Sequence, residues 1–266
     1  MSEQTNNSPV FLITGCSTGL GREIAIAAIA SGFRVIATAR RAETLADLEA
    51  RGAKAIALDV TSSVEDLAAF AVKAIAVYGQ VDFLVNNAGF GQGGAIEEVS
   101  PIEALAQFNT NFFGLVNTTN VFLPHFRSRK AGTIVNISSE ITYNPNPGAG
   151  MYCASKAAVN AVSDTWAHEL AEYGIRSISV QPGAFRTEFF KQSALPPPVA
   201  KIEGYTVAHA TMDFMSNEEF QRAIPGDPAK AARNIVKVVT GPEVPLRFVV
   251  ELEVTRELST GTNFDR

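Results

Sequence analysis

The stretch Val10-Phe11-Leu12-Ile13-Thr14-Gly15-Cys16-Ser17-Thr18-Gly19-Leu20-Gly21 decides how the chain is read. Val10 to Thr14 is a short apolar run and reads as a buried strand. Leu20 to Ser31 reads as a helix, so the loop between them faces the helix amino end. Glycines at 15, 19 and 21 let that loop turn tightly and approach an anion closely. A glycine-rich loop alone is only a turn. With a strand before it and a helix after it, the loop reads as the pyrophosphate cradle of a dinucleotide site.

The same alternation continues outward. Arg34 to Thr38, Lys54 to Leu58, Val81 to Val85, Thr133 to Ile137, Ile175 to Val180 and Leu246 to Val250 read as further strands. Between them lie helical patterns at Glu43 to Arg51, Val64 to Tyr78, Pro101 toward Arg127, Met151 to Tyr173 and Pro228 to Thr240. Strands alternating with helices predict an α/β fold with helices on both faces of a parallel sheet. Right-handed crossovers make it a doubly wound Rossmann sheet of about seven strands, with ligands beyond the strand carboxyl ends. We expect a single domain over 10–266, preceded by a disordered polar tail over 1–9. After Pro182 the regularity breaks, and Pro196-Pro197-Pro198 and Pro225-Gly-Asp-Pro228 punctuate a long stretch. That stretch, about 184–226, is expected to be an irregular lid over the site.

The bulk numbers remove several classes. The chain has 266 residues, 46% of them hydrophobic, with a formal net charge of −5. A pI of about 5.3 argues against a nucleic-acid surface. Two cysteines make no disulfide framework, and the three histidines, His125, His168 and His209, show no metal-ligand spacing. The first residues lack a signal-peptide layout, and the apolar run Ile24 to Ala30 is too short to span a bilayer. The reading is a cytoplasmic protein with no membrane, metal or nucleic-acid partner.

The second strand ends Thr38-Ala39-Arg40-Arg41. A site for NAD needs an acidic residue there to bond the ribose hydroxyls. Guanidinium groups instead suit a 2′-phosphate through forked, charge-assisted bonds. Arg40 therefore points to NADP(H).

Tyr152 and Lys156 lie four apart at the start of a helix and so share a face. A fixed cation beside a phenol is expected to lower its pKa from about 10 and make it a proton donor and acceptor.

With these residues in view, the chain resembles the short-chain dehydrogenase/reductase family. The resemblance rests on Thr14-Gly-x-x-x-Gly-x-Gly21, Asp59-Val60, Asn86-Asn87-Ala88-Gly89, Asn111-Phe-Phe-Gly114, Ser138-Ser139, Tyr152-x-x-x-Lys156, and Pro182-Gly183 with Thr187. It implies a catalytic set of Asn111, Ser139, Tyr152 and Lys156. It implies cofactor contacts from Gly15, Ser17, Thr18, Gly19, Leu20 and Gly21, from Asp59 and Val60 near adenine, and from Asn87, Ala88 and Gly89. Tyr152, Lys156, Pro182, Gly183 and Thr187 would lie on the nicotinamide side. Ser139 is preferred over Ser138 because the family's serine precedes its tyrosine by thirteen residues; Ser138 is expected to be a buried hydroxyl bonded to backbone.

The implied activity is hydride transfer between a nicotinamide and a carbonyl or hydroxyl carbon, that of a ketoreductase. Ser139 would polarise the oxygen, Tyr152 would supply the proton, Lys156 would hold the ribose, and Asn111 would hold a water. The resemblance also implies a homodimer or homotetramer. Phenylalanine, leucine and methionine in the lid, such as Phe189, Phe190, Leu195 and Met215, predict a hydrophobic ketone or alcohol. The loop after Ser139 departs from the family pattern, and Glu140 or Tyr143 is a candidate for selecting a polar substrate group. The alternatives are a non-catalytic NADP(H)-sensing protein and a nucleotide-sugar epimerase or dehydratase.

Overall fold

The structure, a computed structural model, describes residues 7–191 and 194–250 and the backbone of 255–258. The expected tail falls largely on residues 1–6, which lie outside the described residues. Ser8 and Pro9 are bonded through their carbonyls to Arg34, at 2.7 and 3.0 Å.

Period-two alternation separates two cores. Phe11 and Ile13 of β1 (Val10–Ile13) pack on one face of the sheet, and Val10 and Leu12 on the other. The same division runs through β2 (Arg34–Ala39), β4 (Phe83–Asn86) and β5 (Gly132–Ile137). One face is covered by α1 (Gly19–Ala30) and α9 (Pro228–Val239). The other is covered by α3 (Val64–Tyr78), α5 (Gly114–Arg129) and α6 (Gly150–Glu169). Both faces are therefore buried, which is why the strands read as continuous apolar runs.

The strand order is β3-β2-β1-β4-β5-β6-β7-β8, where β3 is Lys54–Ala57, β6 is Ile175–Pro182 and β7 is Arg247–Val250. The strands through β7 are parallel, and the order reverses between β1 and β4. The sequence pattern predicts about seven strands. An additional antiparallel strand, β8 (Thr255–Leu258), pairs with β7. Its sequence, Thr-Arg-Glu-Leu, carries no apolar run to mark it.

Local chemistry sets the helix ends. Ser63 accepts from the amide of Asp66 and opens α3, and Gly79 closes it with a φ of 77°. Ser100 and Glu103 form a capping box around Pro101 at the start of α4 (Pro101–Phe108). The long helix expected from Pro101 is interrupted by a wide π-helical turn, Asn109–Phe113, before α5 begins. Such turns interrupt the i→i−4 ladder and re-aim side chains. Here Asn111 is turned inward and is only 1% exposed.

The stretch read as an irregular lid holds two helices, α7 (Thr206–Ser216) and α8 (Glu218–Ala223). Ala208 and Met215, two turns apart, bury one stripe of α7. The remaining short helix, α2 (Ala46–Ala50), follows β2. No helix among the described residues is long and apolar enough to cross a membrane.

Candidate active site

A cleft of about 1220 Å³ opens beyond the carboxyl ends of the strands, where the strand order reverses. Its floor at β1 is built by mutual support of two loops. Thr14 Oγ1 accepts the amides of Asn87 and Ala88, each at 3.0 Å. Asn87 Nδ2 returns bonds to the carbonyls of Thr14 and Gly15, at 2.9 and 3.1 Å. A Cβ at Gly15 would come within 2.8 Å of Ala88 Cα, and one at Gly21 within 2.2 Å of Asn87 Nδ2. Glycine is required at both positions so that the loops can touch. Ser17, Thr18, Gly19 and Leu20 then line the cleft at the amino end of α1. Backbone N–H groups there are free to meet an anion.

At the far end the cleft is lined by Arg40, Asp59 and Val60. Arg40 is exposed and forms no ion pair among the described residues. Asp59 accepts from both the amide and the hydroxyl of Thr61, at 2.9 and 2.7 Å, which leaves it shaping its own turn. The glycine cradle fits a dinucleotide.

At the other end Ser139, Tyr152 and Lys156 face the same space, along with Gly89, Pro182, Gly183 and Thr187. Asn111 and Gly21 do not line it and support it from behind. Asn111 Nδ2 donates to the Phe90 carbonyl at 2.8 Å and to Ser155 Oγ at 3.1 Å, and its Oδ1 accepts the Phe90 amide at 3.0 Å. A Cβ on Gly89 would lie 3.1 Å from Asn111 Oδ1 and 3.6 Å from Lys156 Nζ, so these groups converge there. Ser138 is 2% exposed and donates to the Lys156 carbonyl at 3.0 Å. Ser139 is half-buried, and its Oγ accepts the Ile141 amide at 3.3 Å.

The expected acid shift of Tyr152 is reversed. Burial, which leaves the residue 9% exposed, pushes its pKa up, and a hydrogen bond with Ser139 opposes the rise. Lys156 is buried as well, and desolvation pulls its pKa down to about 8. Its Nζ donates to the Ile137 carbonyl at 2.7 Å and lies 5.8 Å from the centre of the Tyr152 ring. Loss of water therefore acts on both groups more strongly than their mutual attraction.

The side of the cleft toward α7 and α8 is apolar. Phe189 packs on Tyr152 with ring centres 5.3 Å apart, and Phe190 and Phe220 extend the aromatic run at 5.6 Å spacings. Backbone bonds tie this wall down: Gly91 donates to the Ala194 carbonyl at 2.8 Å, and Gly93 to Pro196 at 2.9 Å. Three carboxylates before and within α4 hold it further out. Glu103 accepts the Val199 amide at 2.9 Å, Glu98 accepts the Ile202 amide at 2.7 Å and His209 Nε2 at 2.6 Å, and Tyr205 bonds Glu97. Sequence reading missed these anchors, because pairs about a hundred residues apart leave no local pattern.

The Ile202 amide, with His209 and Ala95, holds the Glu98 carboxyl down to about 2 from an ordinary 4.5. A carboxylate with a depressed folded pKa adds stability above its unfolded value and loses it as pH falls toward its folded one. The wild-type thermal midpoint is therefore expected to fall between pH 4.5 and 2 through this group. Glu98→Gln should flatten that limb in a pH series of thermal melts. An unchanged slope would remove Glu98 as an anchor.

Known proteins share this arrangement. The family model described as short chain dehydrogenase matches residues 9–196. The chain belongs to the short-chain dehydrogenase family. A short-chain dehydrogenase structure from Streptomyces avermitilis superposes with a TM-score of 0.83 at 40% identity, covering 94% of this chain and 90% of that one. A 3-ketodihydrosphingosine reductase from Bacteroides thetaiotaomicron is 33% identical over 243 residues, 91% of this chain and 87% of the relative. The structure of an actinorhodin polyketide ketoreductase variant with NADPH gives a TM-score of 0.72 at 30% identity, over 90% of this chain and 92% of that one. The short-chain dehydrogenase is thus an oxidoreductase on a nicotinamide-binding scaffold.

Proposed function

We propose that this oxidoreductase uses NADP(H) to interconvert a ketone and an alcohol on an apolar small molecule. The observation that carries the reading is the cleft itself: Ser139, Tyr152 and Lys156 line one end, and Arg40, without a carboxylate partner, lines the other. Bound NADPH supplies the hydride. Gly15, Ser17, Thr18, Gly19 and Leu20 hold its pyrophosphate, with Gly21 packed behind. Arg40 takes the 2′-phosphate, and Asp59 and Val60 flank the adenine. Asn87, Ala88, Gly89, Pro182, Gly183 and Thr187 complete the path toward the nicotinamide.

The chain's own groups handle the oxygen and the proton. Ser139 donates a hydrogen bond to the carbonyl oxygen as negative charge develops on it. Tyr152 gives that oxygen its proton. Burial keeps the phenol protonated at neutral pH, which suits donation in the reductive direction. Lys156 bonds the nicotinamide ribose and stands behind Tyr152 as the next proton source. Asn111 keeps one Oδ1 lone pair for a water that links Lys156 to solvent.

The segment over 184–226 acts as the substrate lid. Phe189, Phe190 and Phe220 set an apolar wall in the cleft that Glu140 and Tyr143 also line. The likeness to a reductase named for a keto-sphingosine supports a long apolar ketone. The test is NADPH oxidation with acetophenone, a series of 2-alkanones of rising length, and pyruvate. Each added methylene buried is worth about 0.8 kcal/mol, or roughly fourfold in kcat/KM. Turnover of pyruvate alone would end the apolar reading, and NADPH binding without turnover would favour a sensing protein. Ile102 and Leu105, 82% and 56% exposed on α4, support the family's homodimer or homotetramer, which light scattering checks.

A further inference from the structure

The turn that carries Ser139 is held by hydrogen bonds that run in one direction. The Tyr143 hydroxyl donates to Gln181 Oε1, at 2.6 Å. This orients the Gln181 amide, whose Nε2 donates to Asn160 Oδ1 at 3.0 Å, where Ser179 Oγ also donates at 2.7 Å. Asn160 is oriented in turn, and its Nδ2 donates to Thr142 Oγ1 at 3.1 Å. The only hydrogen left to Thr142 Oγ1 goes to the Ser139 carbonyl, at 3.0 Å.

We propose that Thr142 and Asn160 are positioning residues for Ser139, at the end of a one-way hydrogen-bond chain that begins at Tyr143. The proposal rests on the reading of Ser139 given above. The chain ties β6 and α6 to a short turn that has no buried apolar side chain of its own. Asn160 is 5% exposed and Gln181 fully buried, so the middle of the chain is shielded from water, while Tyr143 and Thr142 are partly open to it. With its carbonyl pinned and its Oγ accepting the Ile141 amide, Ser139 keeps its hydroxyl hydrogen available to the cleft that it lines. Thr142 and Asn160 do not line the cleft; they act by narrowing the positions open to Ser139.

The test uses Thr142→Val, which keeps the side chain's volume and removes the last link, assayed with NADPH and the best ketone of the panel. kcat is expected to fall about tenfold. KM and NADPH affinity should hold near wild type, while the thermal midpoint drops because Asn160 Nδ2 loses its acceptor. Thr142→Ser should return the rate to within about twofold, and Thr142→Ala serves as a second variant without the hydroxyl. In a Ser139→Ala background, Thr142→Val should cost nothing further, since contacts acting through one group are not additive. An equal further loss in that background, or a parallel fall in NADPH affinity, would overturn the proposal. Wild-type activity in Ser139→Ala alone would instead sink the Ser139 reading beneath it.

Discussion

Tyr152→Phe is expected to lower kcat by roughly a hundredfold to ten-thousandfold, the usual worth of a positioned acid or base. NADPH affinity should stay within about twofold, because the substitution removes one oxygen and little packing. The ring stays wedged against Phe189, and only the hydroxyl with its Ser139 bond is lost. The variant therefore isolates proton transfer from cleft shape. Lys156→Ala is a blunter probe, since Lys156 also holds the Ile137 carbonyl, and it should damage binding and rate together. Single-turnover NADPH oxidation with a direct binding titration separates these outcomes. Tyr152→Phe turning over near the wild-type rate would refute the proposed role of Tyr152.

Arg40→Ala is expected to raise the NADPH dissociation constant about tenfold to a hundredfold and to leave NADH within about twofold. The magnitude follows from a hydrogen bond to a charged group, worth ~1.5–3 kcal/mol. Arg40 is exposed, so salt should narrow the difference between the two cofactors in the wild type. NAD- and NADP-binding chains share this scaffold, and the residue after β2 makes the choice. Parallel titrations of both cofactors at low and high salt check it. Equal weakening of NADH and NADPH would defeat the NADP assignment.

These two residues differ in how far their chemistry is visible in the chain. Arg40 acts where it stands, at the exposed end of a strand, and its environment is mostly water. Tyr152 acts inside the fold. Its spacing from Lys156 predicts a lowered pKa, yet burial raises it, and Lys156 turns its ammonium to Ile137. Helical spacing sets which side chains are neighbours but carries no information on how much water remains around them.

The same division runs through the molecule. The runs at Val10 and Phe83 are local features whose meaning survives without distant neighbours, whereas the contacts that demand glycine at 15 and 21 come from Ala88 and Asn87. Asn111 is different: its position is named by a motif, but its inward aim comes from a π-helical turn that the helical pattern hides. The helices within 206–223 and the carboxylate anchors at Glu98 and Glu103 depend on partners about a hundred residues away.

By itself the sequence determined the parallel sheet, the phosphate cradle and the identity of the groups at the strand ends, because backbone turns and strand burial are written in neighbouring residues. Only the tertiary structure decided the protonation of Tyr152 and Lys156, the inward turn of Asn111 and the pinning of Ser139 through Thr142. Those properties are set by desolvation and by hydrogen bonds across the fold, and both exist only once distant segments have closed around the cleft.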